Sequence, residues 1–256
     1  MNTTAIHNPV RAETYRILSE CYKEPCIEFA QDLAEGRLYR KLEENLKRLG
    51  ISISLDGLMI SASSSGVERR EGEVLSGIRG GGGWLLPSDR DKTANLLQSL
   101  KEIFYPLFVG PSPSLVLPVE SAYKEWAREG NTVISSEVRG MLMGDPAIDM
   151  IRRYRAAGME IPAIYKDMPD HLALLLEYMA LLCESGTGED GEGSQESEDR
   201  FLVEHLDWLP ELRRSIYAFM EGLPDSGASQ FYRTVADVTV AFVAYEREKY
   251  LGRNGI

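Results

Sequence analysis

What this chain lacks narrows it before anything present is read. It has three cysteines, Cys21, Cys26 and Cys183, with no CxxC pair among them. That excludes a disulfide framework and the paired spacing of a structural zinc site. Its three histidines, His7, His171 and His205, form no HExxH, and no two of them stand at helical ligand spacing. No window of about 18 apolar residues is free of charge, and the opening MNTTAIHNPVRAETY has no basic region followed by an apolar one. The chain therefore reads as soluble and cytoplasmic, with no stable membrane insertion. Bases are outnumbered 28 to 40, for a net charge of −12 and a pI of about 4.9. Such a surface repels nucleic acid and anionic lipid and steers basic ligands inward.

What is there is helical. Asn8-Pro9 reads as an N-cap with proline at the first helical position. Val10, Tyr15, Ile17, Leu18, Cys21 and Tyr22 then recur at three- and four-residue intervals until Pro25. Phe29, Leu33, Leu38, Leu42, Leu46 and Leu49 predict a second helix stopped by Gly50. Ala94, Leu97, Leu100, Phe104, Leu107 and Phe108 mark another, from Asp89 to Gly110-Pro111. Asp145-Pro146 opens a helix to about Gly158, and Phe231, Val235, Val238, Phe242 and Tyr245 line a long C-terminal one. The expectation is an all-α, single-domain helical bundle over residues 1–256.

Three stretches interrupt it. Residues 51–91 carry "SASSSG" and "GIRGGGGW", opening on a mild alternation (Ile51, Ile53, Leu55) that suits a short strand or a loose helix. The glycines are not followed by Lys-Ser/Thr at a helix head and follow no strand, so a phosphate cradle is not indicated. Residues 131–144 are ambiguous. Residues 184–199 hold seven acids and no base among glycines and serines, a composition expected of a mobile loop.

The stretch "KDMPDHLALLLEYMALLC" (166–183) combines an acid-histidine pair with a run apolar nearly all round, as befits a helix at the centre of a bundle. Asp167 suits a cap, Pro169 a first turn, and Asp170 the positive end of the helix dipole. A histidine there is either neutral and hydrogen-bonded or protonated by a close carboxylate or ligand. The expectation is that the helix mouth reaches the surface and places Asp170 near water. Residues 105–126 form a proline-stiffened aromatic connection: either a binding wall, or a buried crossover whose rings simply pack. Asp170, with Glu120 as a second carboxylate, suits guanidinium, and the Phe/Pro/Tyr/Trp wall, Trp126 included, suits an apolar peptide stretch.

The segments "YPLFVGPSPSLVLPVESAYKEW" (105–126), "IRRYRAAGMEIP" (151–162), "MPDHLALLLEYMALL" (168–182), "FLVEHLDWLPEL" (201–212) and "FYRTVADVT" (231–239), in that order, resemble the TorD/DmsD/NarJ family of molybdoenzyme-specific cytoplasmic chaperones. The resemblance implies a TorD-like all-helical fold with insertions at about 51–91 and 184–199, and no catalytic activity. It implies as partner a molybdopterin-dependent oxidoreductase, held through its twin-arginine signal peptide, or as apo-enzyme, until cofactor insertion is complete. It further implies a monomer or helix-swapped dimer and no resident cofactor, leaving open a weak contact with GTP or with the molybdopterin cofactor. Carried over by position, the peptide-binding residues are Asp170, His171, Phe108, Gly110, Pro111, Pro118, Ser121, Tyr123 and Tyr22. This chain departs from the pattern at Val119, where some relatives carry an aromatic. A helical nucleotide-binding protein and a scaffold without peptide binding are the alternatives.

Overall fold

The computed structural model describes residues 3–60, 89–124, 126–129, 132–135, 142–185 and 191–254. Among these residues the chain is a helical bundle: α1 (Thr3–Cys21), α2 (Ile27–Ala34), α3 (Arg37–Leu49), α4 (Asp89–Phe104), α5 (Asp145–Ala156), α6 (Leu172–Ser185), α7 (Gly191–His205), α8 (Leu209–Met220) and α9 (Gly227–Asn254). One antiparallel hairpin, β1 (Trp126–Glu129) with β2 (Thr132–Ser135), is the departure from α structure. It occupies part of the ambiguous 131–144 stretch.

The centre is α6. Leu172, Ala173, Leu174, Leu175, Leu176, Met179, Ala180 and Cys183 are all buried, as a helix apolar on every side requires. Each such leucine contributes about 1.5–3 kcal/mol by leaving water. Helix α1 runs antiparallel along it. Ser19 Oγ donates to the Ala173 carbonyl at 2.8 Å near one end, and Arg16 forms a two-pronged pair with Glu184 at the other. Helix α9 adds Phe231, Val235, Val238 and Phe242 to the core, and the Tyr245 hydroxyl donates to the Leu49 carbonyl.

Several sequence expectations need correction. Helix α1 begins at Thr3, so Pro9 lies inside it rather than at its first position, and Asn8 Oδ1 accepts from the buried Arg11 guanidinium at 3.1 Å instead of capping. The stripe from Phe29 to Leu49 belongs to two helices, divided at Glu35-Gly36, where Gly36 takes the left-handed conformation that glycine accommodates most readily. On α4 the buried positions are Leu96, Leu100 and Phe104, with Ala94 exposed. Ile51 to Leu55 form neither strand nor helix and lead into a 3-10 turn, Asp56–Leu58, that buries Leu55 and Leu58. The "GIRGGGGW" stretch lies outside the described residues.

The acidic stretch 184–199 is not a single loop. Glu184 and Ser185 are the last residues of α6, and residues from Gly191 onward belong to α7. The reason lies in α1: Arg11, buried, pairs with Glu198 at 2.8 Å and with Glu246 of α9. A guanidinium in that setting needs carboxylate partners, and one of the seven acids supplies it. Burial raises the Glu198 carboxyl above its ordinary range, with Arg11 working against the rise.

Candidate functional site

The head of α6 is built differently from the sequence expectation. The helix starts at Leu172, and His171 itself is the cap: its Nδ1 accepts the Ala173 N–H at 3.2 Å. Only a neutral ring has that lone pair. Burial, with Lys23 adding to it, pushes the imidazole down to about 3, so the unfavourable meeting of a histidine cation with the positive helix end does not arise. Asp167 is exposed and makes no cap hydrogen bond among the described residues.

Asp170 does not reach water: it is 0 % exposed and His171 7 %. Both are sealed by residues 116–122, which fold across the helix head. Val119 and His171 form an antiparallel bridge. The Leu172 N–H donates to the Pro118 carbonyl at 2.8 Å, and the Glu120 N–H to the Asp170 carbonyl at 3.1 Å. Asp170 Oδ2 accepts both the Ser121 N–H, at 2.7 Å, and the Ser121 hydroxyl, at 2.5 Å. Its Oδ1 has no partner among the described residues. Burial raises the Asp170 carboxyl, opposed by Ser121. The loop that closes this site lies about 50 residues upstream, and no local pattern around 166–171 announces it.

The Glu120–Ser121 turn is gripped from the other side as well. The Ser121 hydroxyl accepts the Gly144 N–H at the start of α5, 3.2 Å away. Glu120, wholly buried, meets His205 Nδ1 through Oε2 at 2.8 Å and Lys124 Nζ through Oε1 at 2.7 Å. His205 Nε2 lies 3.1 Å from Asp149 Oδ2 on α5, and the ring stacks on Phe201. Arg153 then joins Asp149 to Glu204. The Trp208 indole N–H donates to the His205 carbonyl at 2.8 Å, and the Tyr123 ring stacks on the indole, centroids 4.9 Å apart. His205 is not among the site residues the sequence points to. Its signal was the "HLDW" segment, noted for resemblance and not for chemistry.

The other named residues divide by exposure. Phe108 is buried against Tyr22, Phe104 and Tyr232, and the Tyr22 hydroxyl donates to Thr239 Oγ1 at 3.2 Å. For these two the packing alternative describes their environment. Pro118 is buried too. Pro111 is exposed, while Gly110 and Tyr123 are half-buried. Trp126 opens β1, and its side chain lies outside the described residues.

After Phe104 the helix widens into a π turn, Tyr105–Val109, closed by the Gly110 N–H on the Tyr105 carbonyl at 2.8 Å. Gly110 has φ 87° and ψ −172°, a conformation essentially confined to glycine, and its bond to Pro111 is cis. This turn faces two ways. Leu107 and Phe108 enter the core, while Tyr105, Val109 and, further on, Leu115 are exposed. The Tyr105 hydroxyl donates to Glu24 Oε1 at 2.5 Å, and Lys101 reaches the same oxygen at 3.0 Å. Beyond it Lys23 joins Glu20 and Glu177, and Tyr165, against the His171 ring, follows the exposed Ile164.

No group of three or more metal-ligating side chains converges among the described residues, and none of their helices is long and apolar enough to cross a membrane. Two surface grooves, of about 590 and 420 Å³, are lined by α3, the end of α2 and residues 51–60, and by none of the residues named for peptide binding.

The profile of the family described as "Nitrate reductase delta subunit" matches residues 83–214, a span that holds the π turn, the Ser121–Asp170 contacts and His205. The curated protein named "Chaperone protein TorD", from Shewanella amazonensis, is 24% identical over 246 residues, covering 94% of this chain and 92% of its own length. No solved structure matches the chain. With half of its length under that profile, this chain belongs to the nitrate reductase delta subunit family, the TorD/NarJ family of chaperones that its sequence resembles.

Proposed function

We propose that this protein is a maturation chaperone for a molybdopterin-dependent oxidoreductase, binding the twin-arginine signal peptide of that enzyme in the cytoplasm. Family membership supports the general role. For the peptide, the supporting observation is the two-sided π turn: Leu107 and Phe108 anchor in the core, while Tyr105, beside Glu24, and Val109 are exposed, as is Leu115 further on. An arginine pair finds carboxylates at the end of α1, and the apolar stretch that follows finds uncovered side chains on the turn. Asp170 and His171, sealed as they are, hold the loop in shape instead of touching the peptide.

A calorimetric titration with a twin-arginine leader peptide, and with the same peptide carrying two lysines, tests this. Binding of the arginine peptide and about tenfold weaker binding of the lysine peptide is the expected result, since lysine lacks the planar fork. Binding of GTP without any binding of either peptide would replace the reading with a nucleotide-binding one.

A further inference from the structure

Among the described residues His205 is the one buried histidine whose two ring nitrogens both face carboxylates, Glu120 at 2.8 Å and Asp149 at 3.1 Å. A carboxylate oxygen only accepts, so both contacts are hydrogen bonds only when both ring nitrogens carry hydrogen. The two acids belong to separate elements. Glu120 sits in the turn that Ser121 fastens to Asp170 at the head of α6, and Asp149 sits on α5. The ring is held in its plane by Phe201, and the backbone of the same residue by Trp208. The charged groups around it are Glu120 and Lys124 from the turn, Asp149 and Arg153 from α5, Glu204 and Asp207 from its own segment, and Asp170 from the α6 head. Lys124 reinforces the arrangement, contacting Asp207 at 2.8 Å and the Glu204 carbonyl as well as Glu120.

We propose that His205 is a positioning residue for the peptide-binding loop: a ring with N–H at both nitrogens joins the Glu120–Ser121 turn to α5 beside the Ser121–Gly144 contact, and a ring with one N–H holds only one of the two carboxylates. The inference rests on the peptide-binding reading above for its functional consequence, but not for the tie itself. With the ring neutral, one nitrogen presents a lone pair to a carboxylate, and one jaw of the clamp lets go. The loop then loses part of the preorganisation that binding draws on.

The test uses the full chain, its His205→Gln variant, and Asp149→Asn, which alters a half-exposed residue and keeps the fold should the first variant not. Three readouts are followed from about pH 5 to 8: the two ring ¹⁵N shifts of His205, amide protection at Ser121 and Gly144, and affinity for a twin-arginine peptide. The expected result is two protonated nitrogens at the acid end. Protection and affinity then fall together as one proton leaves, affinity by about 5- to 50-fold, and both profiles are flat and low in His205→Gln. An unprotonated ring nitrogen throughout the range, or a variant that keeps the native pH profile, overturns the proposal. A native protein that binds no peptide defeats the peptide reading instead, while ring shifts and amide protection still decide whether the tie exists.

Discussion

Two halves of one loop behave oppositely. Residues 118–121 are buried, and the Pro118 carbonyl, the Glu120 and Ser121 N–H groups, the Ser121 hydroxyl and the Glu120 carboxylate reach the head of α6, the start of α5 or His205. Residues 105–115, a few positions earlier, place Leu107 and Phe108 in the core and leave Tyr105, Val109 and Leu115 uncovered. The first half fixes where the second half lies. A buried polar junction is costly to disturb because each group left behind is dry and unpaired, whereas an exposed apolar side chain is dispensable to the fold. Mutations in the two halves should therefore separate stability from binding.

Among substitutions the largest effect is expected at Asp170→Ala, which orphans the buried Ser121 N–H and hydroxyl. Denaturant unfolding should show a loss of about 3 kcal/mol. Retained stability with lost peptide binding would reverse the assignment of the two halves. Next comes acid. His171 titrates at about 3 in the folded chain against an ordinary 6.5, so its contribution to stability is present above about 6.5 and is lost as pH falls toward 3. The slope is about 1.4 kcal/mol per pH unit between those limits. Asp170 works in the opposite sense: its carboxyl is raised, so its contribution is present at low pH and lost as pH climbs through the folded value. The clean readout is thus the difference between the native chain and His171→Asn, which keeps a cap acceptor and removes the acid sensitivity. Ser121→Ala ranks third, at about 1–2 kcal/mol, because it removes the hydroxyl link to Asp170 and Gly144 while sparing the backbone one. Smallest in stability are Tyr105→Ser and Val109→Ser, within about 0.5 kcal/mol of native, and these should weaken a twin-arginine peptide about tenfold. Calorimetry on the folded variants checks that pair.

The sequence shows what is periodic and local. The central position of α6 follows from a run with no polar face, the stop at Gly50 from the left-handed C-cap, and the start at Asp145-Pro146 from proline in the first helical turn. The candidate site was legible in its parts, since Asp170, His171, Ser121 and Glu120 all belong to it. What was not legible is their arrangement. Asp170 looks like a surface acid because it precedes a helix, and only the return of residues 116–122 across that helix seals it. Glu198 is misread for a related reason: in an acid-rich window nothing marks the one carboxylate that a buried Arg11 requires. Long-range partners decide both cases, and composition carries no record of them.

The most direct measurement is a nuclear magnetic resonance titration of the labelled chain with a twin-arginine peptide, following the Asp170 carboxyl carbon and the His171 ring alongside the amides of residues 105–115. The expected result is that Tyr105, Val109 and Leu115 shift with the peptide while Asp170 and His171 Nδ1 stay as they are in the free protein. A saturable shift at Asp170 as large as any on the turn would contradict it, placing the carboxylate on the ligand and the seal in a state that binding opens.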